Sequence, residues 1–160
     1  MRYDSSYPLV ISMRAFVSIF VMLAVMVSAM AGQGADVSFQ VLDRGSNSGE
    51  KEQGLKVLRT QRAFEEFLKE HSPAQADKLP KQVDWTNEQV VLVFGGEQRT
   101  GGYGVNVKRI VSTDVQRLTV EAILTKPSPG QGVTLAFTTP YTIVKMPRQV
   151  AAIKVKFLSD

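Results

Sequence analysis

The stretch VVLVFGGEQRTGGYGVNV, from Val90 to Val107, contains two different β patterns joined by a glycine-rich connection. Val90 to Phe94 is a continuous run of apolar β-forming residues, which is typical of a central strand covered on both faces. After the glycines, Tyr103, Val105 and Val107 alternate with small or polar residues, as expected of a strand with one buried face. The stretch therefore predicts two strands of a β-rich protein and a tight connection between them.

The glycines Gly101 and Gly102 are interpreted as a turn with positive φ, because a phosphate cradle requires more than glycines. A cradle points successive backbone amides from the start of a helix, whereas a strand pattern follows here. We expect Tyr103 to be half-buried at the start of that strand, with its hydroxyl group toward solvent or backbone. Tyr141, which follows Pro140, is expected to be half-buried in the same way.

The rest of the chain shows one helix pattern among short strand patterns. In TQRAFEEFLKEHS, Thr60 is a predicted N-cap, the apolar residues form one stripe, and Ser72-Pro73 ends the helix. Alternation or apolar runs predict strands over these segments: 36–45, 55–58, 90–94, 103–111, 117–124, 133–137, 140–146 and 152–158. We expect the segments 103–111 and 117–124 to form a hairpin. About seven or eight short strands with one packed α-helix indicate a mainly β fold, an antiparallel β-sandwich or barrel.

Residues 1–31 have the features of a signal peptide. Arg14 precedes the apolar run Ala15 to Val27, and small residues end at a predicted cleavage site after Ala31, with Met13 as a possible start. We therefore predict export to a bacterial periplasm or exterior, no stable membrane insertion after cleavage, and a single β-rich domain over residues 32–160. The alternative is an inner-membrane anchor formed by an uncleaved segment 15–31.

Composition excludes several chemistries. The chain has no cysteine, which excludes disulfides, thiolate metal sites and a lipid-modified cysteine. Its formal net charge is only +4 and no basic stripe is visible, so we expect no nucleic-acid partner. The single histidine, His71, is interpreted as a solvated residue at the helix end. No Gly-x-Ser-x-Gly elbow or acidic pair stands out, and the sequence predicts no catalytic residues, no metal and no cofactor.

One region resembles a known family. Val83-Asp84-Trp85, VVLVFGG, RTGGYGVNV, LTVEA, PSPGQGVT and TTPYTIVKMP follow one another in the order found in the PrcB C-terminal domain. The resemblance covers roughly residues 83–147. It implies an exported, non-catalytic accessory subunit that associates with and stabilises a secreted protease complex. The chain departs from lipid-anchored members because it has no cysteine.

Three functional hypotheses follow. The first is a binding or assembly module with a protein partner, such as an exported peptidase. The second is a β-sandwich peptidase inhibitor that uses the loops 99–103 and 128–132, and the third is an enzyme with an unrecognised carboxylate site or a site around His71. The candidate binding residues are Arg99, Thr100, Gly101, Gly102, Tyr103, Pro140 and Tyr141.

Overall fold

Two four-stranded β-sheets form the body of the protein in the computed structural model, which describes residues 34–114 and 116–159. The strands are β1 (Ala35–Val37), β2 (Gln40–Gly45), β3 (Gln53–Leu58), β4 (Glu88–Gly95), β5 (Gly104–Asp114), β6 (Arg117–Thr125), β7 (Tyr141–Pro147) and β8 (Ala152–Leu158). The first sheet has the order β1-β5-β6-β8 and the second β2-β7-β4-β3. The predicted signal peptide lies outside the described residues.

The two sheets form a sandwich and not a closed barrel. Every strand pair is antiparallel except β6 with β8, which run parallel. The predicted hairpin is confirmed, since β5 pairs with β6 from Gly104 opposite Thr125 to Asp114 opposite Arg117. Between the sheets, the buried Thr142 hydroxyl donates a hydrogen bond to the Val105 carbonyl. The mainly antiparallel sandwich predicted from the strand count is therefore confirmed.

The position of strand β4 in the sheet explains why its sequence is apolar from Val90 to Phe94. It lies inside the second sheet, between β7 and β3, and both of its faces are covered. Val91 and Val93 face the first sheet, while the alternate residues Val90, Leu92 and Phe94 face the helix. The resulting protein has three layers, in which the second sheet separates two hydrophobic cores.

The helix α1 (Gln61–His71) covers the outer face of the second sheet. Thr60 is its N-cap, as predicted, because its hydroxyl accepts a hydrogen bond from the Ala63 amide at 3.4 Å. The helix ends where the Ser72 amide donates to the Leu68 carbonyl at 2.8 Å. Phe64 and Leu68 are completely buried, and burying each such side chain contributes about 1.5–3 kcal/mol.

The predicted strand 36–45 is wrong as a single element. The structure divides it into β1, which pairs with β5, and β2, which pairs with β7 in the other sheet. Val37, Phe39 and Val41 nevertheless all pack against the core between the sheets. The alternation therefore continues through the crossing, which is why the sequence looks like one strand.

The predicted strand 133–137 is also wrong. These residues have no partner strand, and only the next two residues form isolated bridges, Thr138 with Gln98 and Thr139 with Asn47. Two short 3₁₀ turns, Pro73–Gln75 and Leu79–Gln82, connect the helix to β4. Within residues 34–114 and 116–159, every helix is too short or too polar to cross a bilayer.

Candidate functional site

The glycine loop, residues 96–103, carries the chain from β4 in one sheet to β5 in the other. Gly102 has φ +86°, a conformation that residues with a side chain rarely adopt. An added Cβ atom at Gly102 would also lie 2.9 Å from Cβ of Pro127. The prediction of a turn with positive φ is confirmed at Gly102, whereas Gly101 has no positive φ.

The long loop, residues 126–140, lies against the glycine loop. The Gly101 amide donates to the Thr134 carbonyl at 2.9 Å. The Thr138 hydroxyl donates to the Thr100 carbonyl at 2.9 Å, and the backbones of Gln98 and Thr138 exchange hydrogen bonds of 2.7 and 2.9 Å. Both loops are therefore held in one arrangement, and we call them together the paired loops.

The paired loops expose large apolar side chains. Leu135 is 89% exposed and Phe137 is 68% exposed, although the backbone on either side of them is hydrogen-bonded to the glycine loop. The third large apolar side chain exposed among the described residues is Val150, which lies just before β8. Leu135 and Phe137 lie two residues apart on one loop, which makes the paired loops the candidate contact surface of the protein.

The predicted binding residues divide into two groups. Arg99 and Gly102 are exposed and Thr100 and Tyr103 are half-buried, and all four lie on the glycine loop together with the buried Gly101. Half-burial of Tyr103 was expected. Pro140 and Tyr141 are buried, so they add no contact surface at this end.

Tyr141 differs most from its sequence-based expectation. It is 1% exposed, and its ring meets the Phe67 ring edge-on with centroids 5.6 Å apart. Burial raises the pKa of the Tyr141 hydroxyl above its ordinary value. The expected half-buried position was wrong because α1 covers the outer face of β7 at this residue.

The two loops of the inhibitor hypothesis come close together, but not through their whole predicted ranges. The contacts to the segment 99–103 come from Pro127, Val133, Thr134 and Thr138, which lie on either side of the segment 128–132. Leu135 and Phe137 were not among the predicted binding residues, because the segment 133–137 was predicted to be a strand. The prolines and glycines in KPSPGQG and the following Pro140 were the signal for one continuous loop.

A second feature is a groove of about 450 Å³ between α1, β3 and the loop 46–52. Its lining includes the apolar residues Leu58, Ala63, Phe67 and Phe94. Polar groups complete the lining: Ser48, Glu50, Lys56, Glu66, Glu70 and His71. No motif in the sequence indicates this groove, because its walls come from segments that are distant along the chain.

His71 belongs to this groove and not to open solvent. Its side chain is only 16% exposed, and its ring lies 4.6 Å from the Phe67 ring, centroid to centroid. The prediction of a solvated histidine was therefore wrong, because the His71 ring packs against the tilted Phe67 ring at the end of the helix. Its Nε2 atom is 3.6 Å from Oε2 of Glu70.

The groove brings carboxylates and the histidine together, as the enzyme hypothesis requires, but the carboxylates remain open to water. The side chains of Glu66 and Glu70 are 63% and 77% exposed, whereas a catalytic carboxyl is usually activated by burial. Within the part of the chain that the structure describes, no group of three or more His, Cys, Asp or Glu residues is placed to hold a metal ion.

Comparison with known protein families finds a match for the region that contains the paired loops. Residues 89–147 match the family described as PrcB C-terminal. The matched PrcB C-terminal segment runs from β4 to β7, so it contains the glycine loop and the long loop completely. No curated protein and no solved structure matches the chain. The sequence resemblance is confirmed for this segment, while α1 and most of the groove lie outside it.

Proposed function

We propose that the protein is an exported, non-catalytic binding module that associates with a protein partner, and that this partner is an exported peptidase. The observation that carries this proposal is the exposure of Leu135 and Phe137 on the paired loops of the PrcB C-terminal segment. Its resemblance to an accessory subunit of a secreted protease complex supports the choice of partner. The apolar sequence of residues 15–27 and the small residues before position 32 support export.

The paired loops have the composition of an interface. Arg99 and Tyr103 lie on the glycine loop, and Leu135 and Phe137 lie on the long loop that is hydrogen-bonded to it. Arginine and aromatic residues carry much of the binding energy in protein interfaces. Because the loop backbones are held by hydrogen bonds, little conformational entropy is lost when a partner binds. The contact surface that we propose is therefore the glycine loop together with Leu135 and Phe137.

Capture of the tagged full-length protein from the exported fraction of its host tests this proposal. We expect an exported peptidase to be captured with the natural protein and to be lost when Leu135→Ser and Phe137→Ser are combined. Val150→Ser is the matched control, because Val150 is equally apolar and exposed but lies away from the paired loops. Unchanged capture by the double variant would remove the paired loops as the contact surface.

A second candidate, a peptidase inhibitor, is favoured by the hydrogen bond between Gly101 and Thr134, which joins the loop 99–103 to the residues just after the second predicted loop, 128–132. The same capture experiment separates the two roles when the activity of the captured peptidase is measured. An accessory subunit leaves the peptidase active and lengthens its lifetime. An inhibitor abolishes activity when the two proteins reach equal amounts.

A further inference from the structure

Strand β8 forms an open edge of the first sheet. Within the part of the chain that the structure describes, β6 is the only strand that pairs with it. The Ala152 amide donates to the Gln116 carbonyl at 2.9 Å, and in a parallel ladder every second residue turns its backbone groups to the same neighbour. The N–H and C=O groups of Ile153, Val155 and Phe157 therefore point to the open edge.

The apolar side chains along this edge are incompletely covered. Ile153, Val155 and Phe157 pack against the core between the sheets but are only half-buried. Leu55 and Val57 of β3, the edge strand of the second sheet that comes close to β8, are half-buried as well. On the opposite side of the sandwich, the chain passes from β1 to β2 and covers the core. The side between β3 and β8 thus presents an apolar row that an added strand would cover.

The outer face of β8 is basic. Lys154 and Lys156 alternate with the apolar residues of the strand and are exposed. Within residues 34–114 and 116–159, neither lysine forms an ion pair. Glu121 lies opposite Lys156 in the ladder, but its carboxylate pairs with the Arg109 guanidinium at 2.7 Å. The two ammonium groups are therefore placed to pair with carboxylates of a strand added at this edge.

The same lysines disfavour pairing between two copies of this chain. Antiparallel pairing of two β8 strands centred on Val155 would place Lys154 of each copy opposite Lys156 of the other. Like charges in directly opposite positions destabilise a strand pair, and lysines on edge strands protect proteins against such self-association. A strand with carboxylates at these positions would gain opposite-charge pairs instead. The charge of the edge therefore selects a different, acidic strand over a second copy.

We infer that the open edge of β8 binds an extended segment of another protein, in which carboxylate side chains alternate with apolar ones. Backbone hydrogen bonds to Ile153, Val155 and Phe157 hold the segment, as in other complexes formed by strand addition. Its carboxylates face Lys154 and Lys156, and its apolar side chains cover the half-buried row. This surface is separate from the paired loops, so the inference goes beyond the proposed function and does not depend on it.

The test uses peptides of defined sequence. The ¹⁵N-labelled exported protein, expressed from the complete sequence, is titrated with acetyl-Glu-Val-Glu-Val-Glu-Val-amide and observed by NMR. We expect amide shifts over residues 152–158 and slower hydrogen exchange at Ile153, Val155 and Phe157, because their amides gain acceptors. One comparator has lysine in place of glutamate, and another has its glutamates and valines in two separate blocks. Both are expected to bind about tenfold more weakly or less, a difference of about 1.4 kcal/mol.

Charge reversal on β8 completes the test. We expect the combination of Lys154→Glu and Lys156→Glu to lose binding of the glutamate peptide and to bind the lysine peptide instead, which also shows that the variant is folded. Lys78→Glu combined with Lys81→Glu is the matched control, since both lysines are exposed on the connection between α1 and β4. Absent shifts, equal binding of either comparator, or an unaffected charge-reversed variant would each overturn the inference. A failure here with intact loop-dependent capture leaves the proposed function standing.

Discussion

At the scale of single residues, the contact between Gly45 and Tyr141 joins three elements. These residues are paired across β2 and β7, and the missing side chain of Gly45 provides the space for the Tyr141 ring. The ring continues to Phe67 on α1. A further contact joins the helix to β2, since the Ser72 hydroxyl at the helix end donates to the Asp43 carboxylate at 3.3 Å.

Gly45→Ala is expected to destabilise the protein, because the added methyl group would overlap the Tyr141 ring. Overpacking of this kind costs about 1–3 kcal/mol. The free energy of unfolding, obtained from urea denaturation, measures the effect. Gly54→Ala is the control, since Gly54 also lies in a strand but an added Cβ would meet no atom within 4 Å. Equal stability of the two variants would contradict the role assigned to Gly45.

The sequence could not distinguish the inward orientation of Tyr141 from a half-exposed one. Strand β7 is buried on both faces over its first four residues, so its pattern contains no alternation that assigns a face. The neighbouring Pro140 suggested a turn and therefore exposure. For Tyr103 the alternation with Val105 and Val107 was present, and half-burial could be predicted.

At the scale of elements, predictions held where the signal was local. The helix was predictable because Thr60, the apolar stripe and Ser72-Pro73 act within a few residues of one another. The segment 133–137 was not, because a strand requires a partner that its own sequence does not specify. The division of the segment 36–45 into two strands could not be predicted for the same reason. Both halves keep the same alternation, although they pair with strands of different sheets.

Thr60→Ala tests the local origin of α1. Loss of the hydroxyl that accepts from the Ala63 amide leaves a free donor at the helix start, and removal of such a cap costs about 1 kcal/mol. We expect a lower midpoint of thermal unfolding, while Thr60→Ser keeps the hydroxyl and stays close to the natural protein. If Thr60→Ser loses as much stability as Thr60→Ala, the hydrogen bond is not the cause.

At the scale of the whole molecule, the sandwich brings together at one end the loops that follow β4 and β6. The glycine loop could be predicted as a candidate site because its residues are adjacent in the chain. Its partner loop and the apolar pair Leu135 and Phe137 depend on a contact between positions about thirty residues apart, such as Gly101 and Thr134. The groove between α1, β3 and the loop 46–52 also includes Phe94 of β4, so no short motif encodes it.

We propose that the paired loops hold this protein in a complex with another exported protein. Size-exclusion chromatography of the native exported fraction, with immunodetection at the endogenous level, tests it most directly. We expect the natural protein and Val150→Ser to elute at an apparent mass well above that of the monomeric exported protein. The variant that combines Leu135→Ser and Phe137→Ser is expected to elute as a monomer. Elution of the natural protein as a lone monomer would contradict the claim.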